Sequence, residues 1–147
     1  MERTISGMMG KGSVNHNTRA FSTKNVDRER SVNNVKFCHK SIKKVYHELF
    51  DEALERYNAK QKRSDRKIDS YYEKIRQSKQ EKLFHEVIFL IGNKDDTNVK
   101  SEEGQFAKEI LVDFMQDFQE RNPNLYVFSA HLHMDEETPH VHIDFVP

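Results

Sequence analysis

With 147 residues, 35% of them hydrophobic and 33% charged, the chain has the length and polarity of one ordinary soluble domain. A single cysteine, Cys38, excludes an internal disulfide framework and fits a reducing cytoplasm, the expected location. The longest apolar runs, such as Val87–Ile91, are far too short to span a bilayer, and no apolar signal region opens the chain.

The formal net charge of zero hides an asymmetry. Residues 1–82 carry 20 Lys/Arg against 11 Asp/Glu, and residues 83–147 carry 4 against 13. A basic half suits phosphates, and an acidic half beside histidines suits a divalent cation.

In chain order, Met1–Gly10 reads as an opening strand. A long polar loop with Gly10 and Gly12 follows to about Ser31, and loops of that length are functional or disordered. Val32–Phe37 reads as a short strand. Ser41 is a candidate N-cap, and Ile42, Val45, Tyr46, Leu49, Phe50, Ala53, Leu54 and Tyr57 recur at helical spacing, predicting an amphipathic helix to about Lys62. A more charged helix is expected from Ser64 to Gln80, with Ile68, Tyr71, Tyr72 and Ile75 on one face. Lys82–Asn93 reads as a strand apolar enough for the middle of a sheet, ended by Gly92 and Asn93. Ser101 then caps an acidic helix, with Glu102 and Glu103 at its positive end, that runs to near Pro123. Two strands, Asn124–Asp135 and His140–Pro147, close the chain around a tight connection. The expected class is α+β, one domain over residues 1–147 with an antiparallel sheet and flanking helices.

The last two strands hold the richest chemistry. Side chains alternate along a strand, so His140 and His142 share a face, as do His131 and His133. A hairpin brings the two pairs side by side. Imidazoles converging from adjacent strands form a half-shell for a divalent ion with positions left open. Asp135 and Glu136, at the turn, are placed to orient an imidazole or take a proton. With no cysteine nearby, the ligand type suits Zn, Mn, Co or Ni, and phosphate chemistry admits Mg. Such an ion beside a basic surface points to phosphodiester activation.

Cleavage of that kind needs a nucleophile. His16, with Arg19 close by in the polar loop, is one candidate: a neutral imidazole attacks phosphorus directly, and a guanidinium fork neutralises a phosphate oxygen. Tyr46, Tyr57, Tyr71 and Tyr72 are the rivals, although their place on helix stripes favours packing.

Three stretches in the chain resemble, in the same order, the motifs of the Mob/Pre (MobV-type) plasmid mobilisation relaxases. His16–Arg19 is similar to an H-N-x-R motif. Asn25, Asp27, Arg30, Ser31 and Asn34 are similar to N-x-D-x-x-R-S-x-x-N. His133, Asp135, Glu136, Thr138, Pro139, His140 and His142 are similar to H-x-D-E-x-T-P-H-x-H.

The resemblance implies an endonuclease of the HUH type, with an antiparallel sheet carrying the histidine pair. It implies nicking of single-stranded DNA at a plasmid origin of transfer, plasmid recombination, and a covalent 5′-phosphohistidine on His16. Arg19 and Glu136 would assist, and His133, His140 and His142 would hold a divalent metal, Mn²⁺ ahead of Mg²⁺ or Zn²⁺. His131 precedes the motif and is expected just outside the ligand set. Asn17, Arg30, Asn34, Lys43 and Lys44 are expected on DNA, with structural pairing an equal alternative for Arg30. Relatives continue past the metal motif, so an incomplete C-terminus is expected. No small-molecule cofactor and no membrane segment are implied. Two other classes remain open at this point: a three-histidine hydrolase or oxygenase of small molecules, and a non-catalytic DNA-binding module.

Overall fold

The computed structural model describes residues 3–21 and 23–147, so the first two residues of the expected opening strand lie outside the described part. The chain builds two compact units, one from Met1–His39 with Phe84–Pro147 and one from Lys40–Leu83.

The first unit is a five-stranded sheet of β1 (Ile5–Met9), β2 (Val35–His39), β3 (His85–Ile91), β4 (Tyr126–His133) and β5 (His140–Val146). The strand order is β1-β3-β5-β4-β2, and every neighbour is antiparallel. Strand alternation divides the sheet into two chemically different faces. Ala130 and Leu132 of β4, Val141 and Ile143 of β5, and Val87, Phe89 and Ile91 of β3 belong to the apolar core. The helix α4 (Glu102–Gln116) covers that face with Ala107, Leu111 and Met115. Leu111, Leu132, Val141 and Ile143 are fully buried, each contributing about 1.5–3 kcal/mol through removal of apolar surface from water. The opposite face carries Glu86, His131, His133, His140, His142 and Asp144. The apolar layer can therefore fix the frame while the polar layer does chemistry.

Local signals account for most boundaries. Ser101 Oγ accepts from Gly104 N at 3.0 Å, starting α4 as expected. Gly104 is required there, because a Cβ would run into the Asn98 carbonyl. Gly92, at φ 69°, turns the chain at the end of β3 with Asp96 and Thr97 packed against it.

Three expectations are corrected. Arg30–Asn33 is a 3-10 turn with Val32 85% exposed, so the strand begins only at Val35. Asn34 delays it, because its side chain bonds the main chain and carboxylate of the segment after β4. The helix expected to reach Pro123 breaks at Asp117 (φ −119°, ψ 15°), and α5 (Phe118–Arg121) restarts it. The break turns Phe118 into the core beside Phe89 and Phe114.

The third correction lies in the second unit. Its α2 (Ile42–Ala59) matches the expected amphipathic helix and ends about a turn early. The expected helix over 64–80 reduces to a 3-10 turn at Ser64–Arg66 and α3 (Tyr71–Gln77). Asn58 prevents the longer helix: its Nδ2 donates to Ile68 O at 2.8 Å and its Oδ1 accepts from Ile68 N at 2.9 Å, holding Ile68 outside helical bonding. The true cap is Ser70, whose Oγ accepts from Glu73 N at 3.2 Å. Tyr46 is buried, donates its hydroxyl to Leu83 O at 2.6 Å, and packs on Phe50, Tyr71 and Tyr72. Burial pushes its phenol up to about 12. No helix among the described residues is long and apolar enough to cross a membrane.

Candidate functional site

The hairpin of β4 and β5 sets His131 opposite His142 and His133 opposite His140. Three of these four imidazoles converge. One ring nitrogen from each of His133, His140 and His142 lies within 4.8 Å of the others, and the ring centroids are 4.9–5.2 Å apart. His131 is not in the group. It is buried beside His39, its Nε2 has no hydrogen-bond partner, and burial holds it down to about 4.

Each converging ring is held from outside by an acceptor. His133 Nε2 donates to Asn17 O at 2.8 Å, His140 Nδ1 to Thr138 O at 2.7 Å, and His142 Nδ1 to Glu86 Oε1 at 3.1 Å. That pattern fixes the tautomer and leaves the other nitrogen of each ring for an ion. His133 supplies the sharpest test of fit, because its Nδ1 is buried without any partner, a costly arrangement unless a ligand completes it. Burial holds His133 down to about 3 and also lowers His140, so both are neutral donors at ordinary pH. The residues present fit a divalent cation.

His16 approaches the same cluster from α1 (Val14–Asn17), a helical turn inside the loop. Its ring centroid lies 6.3 Å from that of His133 and 6.4 Å from that of His142. Arg19 follows in a left-handed conformation, φ 61°, which bulky residues adopt only when the surroundings enforce it. The enforcing contacts are plain. Arg19 Nε and Nη2 bind Asp135 at 2.8 and 2.6 Å, Nη2 also binds Glu136 Oε1 at 2.9 Å, and Nη1 reaches His16 Nε2 at 3.3 Å. Glu136 Oε1 is 3.7 Å from His16 Nε2, and its Oε2 is 3.9 Å from His140 Nε2. Glu136 therefore stands between the HNTR turn and the histidine cluster. Although burial disfavours its charge, Arg19 is held above the usual guanidinium value by the two carboxylates.

Asp135, expected to orient an imidazole or take a proton, organises the loop through its hydrogen bonds. Fully buried, it accepts from Arg19, from Ser31 Oγ at 2.6 Å and from Asn34 Nδ2 at 2.8 Å. Burial alone would raise its carboxyl, but these donors hold it far below the carboxylate range. Asp27 N donates to Asp135 O at 2.7 Å, and Asn25 Nδ2 to Glu136 Oε2 at 3.2 Å. The polar segment from Asn25 to Asn34 is thus a clamp on the connection between β4 and β5.

The residues expected on DNA divide accordingly. Asn17 is buried and its amide binds Glu86 at 2.5 Å and Asp144 at 3.2 Å. Asn34 binds Asp135 and accepts from Met134 N at 2.7 Å. Both amides are hydrogen-bonded within the protein. Arg30 pairs its Nε with Asp27 at 2.8 Å and keeps about a quarter of its side chain exposed. Lys43 and Lys44 are exposed on α2, with Lys43 Nζ 5.4 Å from the centre of the Tyr72 ring. All four rival tyrosines belong to the helical unit.

Glu86 and Asp144 escaped the sequence reading. They hydrogen-bond to each other in the buried polar face, so burial and the neighbouring charge push Asp144 up. Despite its own burial, Glu86 is held down by His142, Asp144 and Asn17. The signal was present: Glu86 is the sole carboxylate in β3, just before the apolar run Val87–Ile91, and Asp144 continues the alternation begun by His140 and His142.

Comparison with known proteins bears on the family and the fold. The sequence profile of the Mob_Pre family, described as plasmid recombination enzyme, matches residues 9–147. Among solved structures, the chain is similar to the MobM relaxase domain bound to 22 nucleotides of plasmid pMV158 oriT DNA, in a Mn-bound crystal at pH 5.5. Identity is 23%, coverage is 97% of this chain and 70% of that one, and the TM-score is 0.54. A second MobM relaxase structure, with a 3′-thiophosphate on the same length of oriT DNA, matches at 22% identity, the same coverages and a TM-score of 0.53. No curated protein matches the chain.

Proposed function

The chain belongs to the Mob_Pre family of plasmid recombination enzymes, and from that premise we propose that it is a relaxase that nicks single-stranded DNA at a plasmid origin of transfer. The observation that carries this reading is the meeting of the HNTR turn with the three-histidine cluster through Arg19 and Glu136. The Mn-bound, oriT-bound state of the MobM structures supports it.

His16 is the nucleophile. Its Nε2 lone pair forms a P–N bond, the P–O3′ bond breaks, and the leaving 3′ oxygen takes up a proton from water. The DNA 5′-phosphate then remains on His16 as a phosphohistidine. Arg19, whose Nη1 is 3.3 Å from His16 Nε2, acts as a pure donor that keeps a lone pair on that nitrogen and then meets the negative phosphate oxygens. Glu136, 3.7 Å from the same nitrogen, accepts from Arg19 Nη2 at 2.9 Å and so holds the guanidinium against the imidazole. His133, His140 and His142 hold a divalent ion, Mn²⁺ by analogy with the MobM crystals. When bound, that ion supplies Lewis acidity to a phosphate oxygen. Arg30, Lys43 and Lys44 serve the DNA backbone, where cation–phosphate attraction provides affinity without sequence.

The test is a nicking assay with Mn²⁺ on single-stranded DNA carrying a plasmid origin of transfer. A labelled protein–DNA adduct is expected that falls apart in mild acid, is absent in His16→Ala, and persists when Tyr71 and Tyr72 are both changed to Phe. An acid-stable adduct that survives His16→Ala would overturn the assignment.

A further inference from the structure

We infer that Asn17 couples the turn carrying His16 to the metal-holding histidines, so that placement of the nucleophile and affinity for the ion depend on each other. The inference rests on the relaxase reading above and assigns Asn17 a positioning role.

Two separate connections leave this residue. Its backbone carbonyl accepts from His133 Nε2 at 2.8 Å. Its side-chain Nδ2 donates to Glu86 Oε2 at 2.5 Å and to Asp144 Oδ2 at 3.2 Å, while the other oxygen of Glu86 accepts from His142 Nδ1 at 3.1 Å. The residue next in chain to His16 therefore touches one cluster histidine directly and a second through a single carboxylate. Glu86 is confined from its other side as well. Gly10 N donates to Glu86 O at 3.0 Å, and a Cβ at Gly10 would strike the Glu86 carboxylate.

The residue type suits the task. A carboxamide nitrogen carries two hydrogens and no charge, so it bridges two carboxyl groups at once. Serine offers one hydrogen, and aspartate would add a third acceptor. The turn itself is too short to be stable alone: α1 has four residues, well below the length at which helical bonds outweigh nucleation. Asn17 is its buried residue, so the place of His16 over the cluster depends on what Asn17 grips. Linkage then requires reciprocity: an ion that tightens His133 and His142 also steadies the turn, and loosening the turn weakens the ion.

The experiment uses the whole chain, with Mn²⁺ titrated calorimetrically and a diamagnetic ion, Zn²⁺, used for amide hydrogen exchange by NMR. The amides followed are those of Asn17, Thr18 and Ala20, which bond Ser13 O, Val14 O and Asn15 O. In the wild type, saturating metal should slow their exchange about tenfold. In Asn17→Ala, Glu86, the outer partner of His142, loses the donor that fixes it, so Mn²⁺ affinity should fall about tenfold, and the slowing should vanish at saturation. Affinity and protection equal to wild type in Asn17→Ala would overturn the coupling, while His140→Ala, which should abolish binding, shows that the ion is in the cluster. A wild type that binds neither ion would sink the metal-site reading together with this one. Should Asn17→Ala fail to fold, Glu86→Gln provides the second test. Its single oxygen serves Asn17 or His142 but not both, so both readouts should weaken; wild-type values there would also refute the coupling.

Discussion

Replacing Asp135 by Asn removes one charge at almost constant shape and strikes the centre of the loop clamp. Asp135 Oδ2 takes Arg19 Nε at 2.8 Å, Ser31 Oγ at 2.6 Å and Asn34 Nδ2 at 2.8 Å, and Oδ1 takes Arg19 Nη2 at 2.6 Å. An asparagine has one oxygen, so at least one of these donors must face its amide nitrogen. Breaking one side of a buried ion pair costs about 3–5 kcal/mol. Glu136 stays on Arg19, which places the expected loss near the lower end, about 3 kcal/mol.

Urea unfolding followed by circular dichroism measures that loss. Because the folded pKa of Asp135 lies below its unfolded value, its contribution is complete above the unfolded pKa, about 3.9. It is lost as pH falls toward the folded value. The gap between wild type and Asp135→Asn should therefore be full at pH 7 and smaller by roughly 1 kcal/mol at pH 3. A gap below about 1 kcal/mol at pH 7, or one that does not change between pH 7 and pH 3, would refute the account of Asp135 as a buried, charged hub.

Other consequences are testable with single variants. His140→Ala should abolish Mn²⁺ binding and metal-dependent nicking while leaving the circular dichroism spectrum unchanged, since its ring lies at the open end of the cluster; wild-type cutting would refute the ligand set. Changing Lys43 and Lys44 together to Gln should flatten the salt dependence of single-stranded DNA binding by about 0.7 in logarithmic slope for each phosphate no longer neutralised. An unchanged slope would move the DNA path off α2. His131 stays neutral in the folded chain down to about 4, whereas the unfolded chain protonates it near 6.5. In the metal-free chain, wild type should therefore lose about 2 kcal/mol relative to His131→Leu between pH 7.5 and pH 5. Parallel stability curves for the two proteins would contradict that burial.

Much of this was legible from short-range pattern. Period-two alternation in the last two strands is enough to place His140 with His142 and His131 with His133, because a strand has only two faces. Helical spacing and Ser101 likewise locate α4, and a motif resemblance picks out His16 and Arg19 before any fold is known. Tertiary structure decided what those residues touch. Asn17, in the polar loop, and Asn34, in the expected short strand, read as DNA contacts, and long-range hydrogen bonds make them a bridge between two carboxylates and a clamp on Asp135. Asp135 itself, one residue from Glu136 in sequence, faces Arg19, Ser31 and Asn34, while Glu136 reaches both His16 and His140. The motif resemblance already separates His133, His140 and His142 from His131, and the tertiary structure supplies the physical difference: the three each have an outer acceptor, from Asn17, Thr138 and Glu86, whereas the buried Nε2 of His131 has none. Alternation and capping act over a few residues and leave a readable trace. Hydrogen bonds across a hundred residues of chain depend on which elements fold together, and that is fixed only when the sheet has formed.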